Sequence, residues 1–449
     1  MAEQVNKRTA PGKAYTAFAV TVLLLISTLK VADRELLAPL YAPVSQELGL
    51  NDLQFGVIRS AADIALIVGA VVFGLMADRR RRRDVVVLGV LCWSAIAWGT
   101  GRARTFLQLL LARAGMHFFL SAYSTAAYPM LSDMVPRRSR GMVMGLLGAT
   151  FAVGTVAALV IAAFIGTANW RQPFAYFAIP GIILGLLVLF FVKEPVRGGG
   201  EEEVIAAGGY TGRFSGRALL RTLRIPTALL VYLLDATQGS AWWAFSFWAP
   251  AYLLRYHIAP DADTAALALV PAIAGFVVGT LLGGWLIDRL RRRTERSAIW
   301  VSLISMVGAL IMSLVIFSLQ DLTAVLVAGF FLGLFGYLIM PAINVMLYDV
   351  VPPETRSSAT AADGMILSAF SALTSLAIGA VSYSVGQAQG LAEGNLRAGF
   401  QGAVTVLLTL ALVLTLVLLR IAPADMAALR AHVARRAVAE PAADSSLRS

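Results

Sequence analysis

The stretch GLMADRRRRR, Gly74 to Arg83, decides the fold, because a close copy of it recurs as GWLIDRLRRR from Gly284 to Arg293. Each copy closes a long apolar run with an Asp-Arg pair and a burst of arginine. A second pair repeats at nearly the same interval: DMVPRRSR (Asp133 to Arg140) and DVVPPETR (Asp349 to Arg356). Two echoes at offsets of 210 and 216 residues describe an internal duplication. Both fall at matching loops, so the halves run in the same sense, as two parallel-related bundles do.

Working outward from these loops, the chain reads as a succession of apolar runs. Its 449 residues are 58% hydrophobic and 14% charged, with a mean hydropathy of +0.75, which does not describe a water-soluble protein. Runs long enough to cross a hydrocarbon core of about 30 Å occur at 14–40, 53–76, 85–101, 105–132, 142–166, 173–192, 227–256, 262–287, 298–318, 321–348, 358–386 and 398–421. Helices are expected, since unpaired backbone groups are costly in lipid and the runs exceed the roughly ten-residue strands of a barrel. The fold class is therefore all-α: 12 transmembrane helices in two pseudo-symmetric six-helix bundles. The domains read as an N-terminus (1–13), a first bundle (14–193), a linker (194–226), a second bundle (227–421) and a tail (422–449) whose polar end is expected to be disordered.

The net charge of +11 would suggest nucleic acid in a soluble protein. Here roughly 28 of the 37 basic residues fall in segments on one side, which predicts cytoplasmic N- and C-termini in a bacterial-type inner membrane and no nucleic-acid partner. Cys92 stands alone and three histidines are scattered, so no disulfide, metal or cofactor is expected. No phosphate loop is present and no nucleophile motif suggests an enzyme. The N-terminal MAEQVNKRTAPGK reads as retained. Arg213, Arg217, Arg221 and Arg224 in the linker have helical spacing, as a basic helix on the inner leaflet or a solvated linker would.

The loop GLMADRRRRR and its echo resemble the signature of the major facilitator superfamily. Within it, ADRELLAPLYAPVSQELGL after Val31, WRQPFAYFAIPGIILGLLVLFFVKEPVRG (Trp170 to Gly198), WAPAYLLRYH (Trp248 to His257) and GTLLGGWLIDRLRRR resemble the Spinster family. That resemblance implies movement of lysophospholipid- or sphingolipid-like anions by alternating access. The anion:cation symporter branch shares the Asp-Arg of span 1 and the Arg of span 4. In both groups a Glu usually follows that Arg by seven residues; Leu120 stands there in this chain. The resemblance also gives Asp78, Arg79, Asp288 and Arg289 a gating role on the cytoplasmic side, in networks that Asp133 and Arg140, with Asp349 and Arg356, would join.

Charges at membrane depth cost several kcal/mol unless they face a partner or a cavity, so they are the first site candidates. Asp33 is expected to face the cavity and to pair with Arg113 in one state, where an anionic headgroup competes for the guanidinium. Arg113, His117 and Ser121 or Ser124 share one face of span 4; His117 is either a packed residue or a proton carrier. Arg59 and Asp63, four apart, suit a local ion pair. Asp235 in span 7 stands in the helix that repeats span 1. Asn344, Tyr348 and Gln238 are neutral candidates, and Lys30, Arg34 and Glu35 are orienting or interfacial charges. The aromatics of span 7 are expected mainly to pack. Gly275, Gly279 and Gly283 form a small-residue face for close helix approach. The expected function is a secondary active transporter of an anionic amphiphile, working as a monomer among membrane lipids, with protons as a coupling partner. The alternative is a proton-coupled symporter of small organic anions.

Overall fold

The computed structural model describes residues 13–135, 137–166, 168–195, 222–351, 356–391 and 394–446. Among them the chain is helical, with no strand. The first half holds α1 (Lys13–Glu35), α2 (Tyr41–Leu48), α3 (Asp52–Arg79), α4 (Arg82–Thr100), α5 (Phe106–Met134), α6 (Arg137–Ile161), a π turn (Ala162–Gly166) and α7 (Gln172–Phe191). The second holds α8 (Pro226–Arg255), α9 (Ala262–Leu267), α10 (Val270–Arg291), α11 (Ser297–Ser318), α12 (Leu322–Leu338), α13 (Met340–Tyr348), α14 (Arg356–Ala388) and α15 (Leu396–Ser446).

The helices are apolar on their outside. On α3, Ile64, Val68, Val71, Val72 and Leu75 are exposed while Arg59 and Asp63 are buried. That inversion of the water-soluble pattern is what hydrocarbon as the outer solvent requires. Ten of the described helical segments are long and apolar enough to cross a membrane. They coincide with ten of the expected spans. The other two expected spans form α5 and α8, of 29 and 30 residues, whose polar and aromatic side chains lower their apolarity. These two helices carry Arg113 and Asp235.

Several ends differ from the sequence reading. Span 1 was expected to run to Leu40, but α1 stops at Glu35, and the chain turns through Leu36–Leu40 into α2. Pro39 and Pro43 account for the break, since neither can donate a backbone hydrogen bond; Gly49, at φ 63°, then closes α2. Span 10 divides at Ile339 into α12 and α13, with Pro341 near the start of the second piece. The tail, expected to be disordered at its end, is helical as far as Ser446; its alanine-rich sequence favours helix. Of the basic linker residues, Arg213, Arg217 and Arg221 lie outside the described residues.

Two compact units divide the chain: Met1–Arg213 with Leu253–Leu267, and Phe214–Tyr252 with Ala268–Ser449. The first has a core around Leu23, Ile26, Phe73, Trp93, Met116 and Tyr123. The second is built around Tyr232, Val301, Met306, Ile339 and Leu418. In the first, Asn51 and Gln54 form a reciprocal capping box at the start of α3. Glu194 accepts from the backbone N–H groups of Arg82 and Arg83, at 2.9 and 2.8 Å, and so caps α4. A carboxylate at a helix N-terminus satisfies free donors and complements the dipole. Glu194, which opens the EPVRG motif, thus meets the first arginine loop at Arg82, 112 residues away in sequence.

Gly275, Gly279 and Gly283 lie against the backbone of α12, where an added Cβ would strike the carbonyl oxygens of Phe330, Leu334 and Leu338. The small-residue face is therefore a close helix–helix contact.

Candidate functional site

In the first unit α1, α3 and α5 bring three arginines and three carboxylates together in the membrane-spanning region. Asp33 and Glu35 are buried at the end of α1, Arg59 and Asp63 on α3, and Arg113 with His117 on α5; Arg34 is partly buried. If all six charged side chains are ionised, three positive and three negative charges cancel, which makes so dense a set tolerable in a low dielectric. Arg59 Nε lies 3.2 Å from Asp63 Oδ2, the local pair expected from their spacing. Arg34 extends it, at 3.6 Å from Asp63 Oδ1 and 3.5 Å from Glu35 Oε1. Arg34 and Glu35 are thus members of the cluster, not merely interfacial charges.

Arg113 does not reach the Asp33 carboxylate in this structure. Its Nη1 donates to the backbone carbonyl of Asp33 at 3.2 Å, and its Nη2 to that of Arg34 at 2.9 Å. These are among the last carbonyls of α1, which have no partner within their own helix; the guanidinium caps the negative end of the dipole. The side-chain oxygens of Asp33 have no hydrogen-bond partner among the described residues, although Arg113 and Trp93 are its electrostatic neighbours. His117 Nε2 lies 3.4 Å from Arg113 Nη2. A guanidinium can only donate, so this contact casts Nε2 as the acceptor, and the ring as neutral. Leu120, at the position of the family's Glu, is buried in the apolar core.

Two further clusters of the first unit escaped the sequence reading. Lys30 donates to Ser124 Oγ at 2.9 Å and to the Tyr128 hydroxyl at 3.3 Å. The polar stripe from Arg113 through His117 to Ser124, continued one more turn, would have pointed to Tyr128. Arg255 holds Asp52 with two bonds of 2.7 and 2.8 Å, and Tyr41 also donates to Asp52. Asp52 is fully buried. At the start of α3 an aspartate reads as an ordinary helix-end residue, and nothing in the sequence ties it to an arginine 203 positions away.

Outside the spans, Glu47 accepts from the Trp170 indole and from Arg171 Nη1, each at 2.6 Å. These bonds hold its carboxyl below the usual glutamate range. Arg171 also donates to Ala103 O at 2.9 Å, so the WRQP segment fastens α2 and the loop before α5.

The second unit is different in kind. Asp235, buried on α8, faces the carboxyl of Asp363 on α14. Gln238 donates to Gly336 O at 2.7 Å. Trp242, Phe245, Phe247, Trp248 and Tyr252 are buried, and Trp242 meets Tyr337 edge-on at 4.9 Å, so these aromatics pack. Tyr348 lies 3.2 Å from Thr360 Oγ1, and Asn344 is exposed. Neither is brought near Asp235 by any bond described.

Of the residues expected to gate, Asp78, Arg79, Asp288 and Arg289 are exposed, with Arg289 over the Trp285 ring at 5.4 Å. Asp133 pairs with Arg82 at 2.5 Å and Asp349 with Arg291 at 3.5 Å, so each unit has an ionic clasp near its arginine loop. The side chains of Arg140 and Arg356 lie outside the described residues.

Residues 23–304 match the model of the Major Facilitator Superfamily. The chain is 23% identical over 340 residues to the sphingosine-1-phosphate transporter of Xenopus tropicalis, covering 70% of this chain and 64% of that protein. It is 24% identical over 293 residues to the cis,cis-muconate transport protein of Acinetobacter baylyi, covering 64% and 70%. Among solved structures, a bacterial homologue of the human lysosomal transporter Spinster, inward-facing and unoccupied, superposes with a TM-score of 0.72 at 21% identity, over 92% of this chain and 97% of that one. With the matched segment spanning more than half of its length, the chain belongs to the Major Facilitator Superfamily, as a multi-pass membrane transporter related to the Spinster proteins.

Proposed function

We propose that this protein is a proton-coupled secondary transporter of organic anions, with small carboxylates as its first substrate class. One observation carries the reading: Arg113 is buried in the spanning region and bonded only to neutral acceptors, beside a carboxylate with no hydrogen-bond partner among the described residues. A carboxylate offers the guanidinium a full opposite charge and a bidentate fit to its fork, neither of which a neutral carbonyl supplies. An arriving carboxylate therefore competes well for the guanidinium and takes it from the end of α1. Losing that cap loosens the last turn of α1, which ties substrate arrival to a change in helix packing.

Asp33 is the proton acceptor in this scheme. Protonating His117 would break its contact with Arg113 and set two like charges side by side. Leu120 supplies no carboxylate. A second reading, an anionic amphiphile such as a lysophospholipid or sphingolipid phosphate, is favoured by the Spinster relationship and by a relative that carries sphingosine-1-phosphate. Both readings share the anionic group.

Uptake into proteoliposomes distinguishes them. With an acid-outside gradient, cis,cis-muconate should accumulate above its equilibrium level, and dissipating the gradient should stop it. Gradient-independent movement of a lysophospholipid, with no muconate uptake, would favour the amphiphile; absence of both would refute anion transport.

A further inference from the structure

We infer that Lys30, Ser124 and Tyr128 form an anion-binding site for a carboxylate or phosphate monoester, distinct from the Arg113 cluster. The inference rests on the reading of the protein as an anion transporter and names the group that first holds the anion.

The cations of the first unit's spanning region differ in what occupies them. Arg34, Arg59 and Arg255 each face a carboxylate, and Arg113 is bonded to two carbonyls. Lys30 has neither. Its ammonium bonds to two hydroxyls and lies over the rings of Tyr123 and Tyr128, at 5.5 and 5.3 Å from their centroids. Among the described residues it has no carboxylate at ion-pair distance. An ammonium has three N–H donors, and these two bonds use two of them.

The hydroxyls strengthen the case. Each accepts from Lys30, so its own proton points away from the nitrogen, toward the neighbouring hydroxyls, Ser27 included, or toward a third group. The third N–H of Lys30 and a hydroxyl proton not held within the group are thus the donors left for a carboxylate or phosphate oxygen. Tyr128 keeps 37% of its surface exposed, which leaves the position accessible, and its ring is held edge-on against Tyr123 at 6.2 Å. Tyr123 is anchored by its hydroxyl to Leu23 O. The support is rigid; the donors are not saturated.

Ser124 is eleven residues from Arg113, about 16 Å along α5. The two cations therefore hold anions at separate levels of the same helix pair, α1 and α5.

The test uses the full-length protein in detergent, with cis,cis-muconate, sphingosine-1-phosphate and inorganic phosphate as probes of small acid, lipid headgroup and free phosphate. Binding is read from the concentration dependence of the melting midpoint. At least one probe should stabilise the native protein at millimolar concentration or below. Lys30→Gln should weaken that probe about tenfold or more, Lys30→Arg should stay within about threefold, and Tyr128→Phe should fall between them. Which probes respond tells whether the anion is free or carried by a lipid. Binding that survives Lys30→Gln but is lost in Arg113→Gln would overturn this site and leave anion transport standing. Binding lost in Lys30→Gln, in a protein that moves no anion in proteoliposomes, would keep the site and remove the transport reading. No stabilisation of the native protein by any of the three probes would overturn the site outright.

Discussion

Helices α3 and α5 of the first unit and α10 and α12 of the second are one helix pair used twice. The offset of the arginine loops carries Gly69 onto Gly279, and that of the second echo carries Phe118 onto Leu334. In each unit a Cβ on the glycine would strike the carbonyl oxygen of that partner, so a single close contact has been kept in both. The charges have not been kept. The same offsets place Arg59 on Leu269, Asp63 on Ile273, Arg113 on Gly329 and His117 on Gly333. Backbone packing is shared by the two units, whereas the chemistry at membrane depth belongs mostly to the first, and the second holds a facing pair of carboxylates and packed aromatics.

The largest test of this comparison concerns the shared part. Gly69→Leu and Gly279→Leu should each destabilise their helix pair by about 3 kcal/mol, the upper range of overpacking, and lower the detergent melting temperature alike. A large loss in one and none in the other would break the equivalence. Next comes the part that is not shared. Arg113→Ala should reduce anion uptake about a hundredfold, or roughly 2.7 kcal/mol, with Arg113→Lys recovering part of it, since a point charge lacks the forked geometry. Full uptake by Arg113→Ala would remove the first unit's claim to the chemistry.

A smaller effect separates the carboxylates. Asp33→Asn should lower gradient-driven uptake about tenfold while sparing exchange of labelled for unlabelled anion, and Asp363→Asn should stay within about threefold. If Asp363→Asn alone abolished the response to the gradient, proton coupling would belong to the second unit. The smallest effect is the pH dependence of Glu47. Its folded-state pKa is depressed by the bonds from Trp170 and Arg171. The stability it contributes is therefore present above the unfolded glutamate pKa and is lost as the pH falls through the lower, folded value. Because the side chain is half exposed, solvent screening keeps the change slight. Melting curves of the native protein and of Glu47→Gln should converge on acidification below the usual glutamate range; a constant gap would show that the bonds act independently of charge.

Much of this architecture was legible in the residues. Apolar length marked the spans, because lipid admits few other long runs, and the arginine loops revealed the duplication. Helical spacing alone placed Arg59 beside Asp63 and set Arg113, His117 and Ser124 on one stripe, since those relations are local to one helix. The breaks at Pro39 and Ile339 were less visible, because composition stays apolar through both.

What the sequence determined by itself was the solvent, the number of repeats and the set of charges that had to find partners. Tertiary structure decided who those partners are. It gave Arg113 the carbonyls of Asp33 and Arg34 in place of a side-chain carboxylate, joined Arg255 to Asp52, set Glu194 on the start of α4 and brought Lys30 to Ser124 and Tyr128. The reason is physical: spacing fixes which residues share a face of one helix, but the rotation and depth at which two helices pack depend on every side chain between them, and only that packing brings residues 80 to 200 positions apart within the reach of a hydrogen bond.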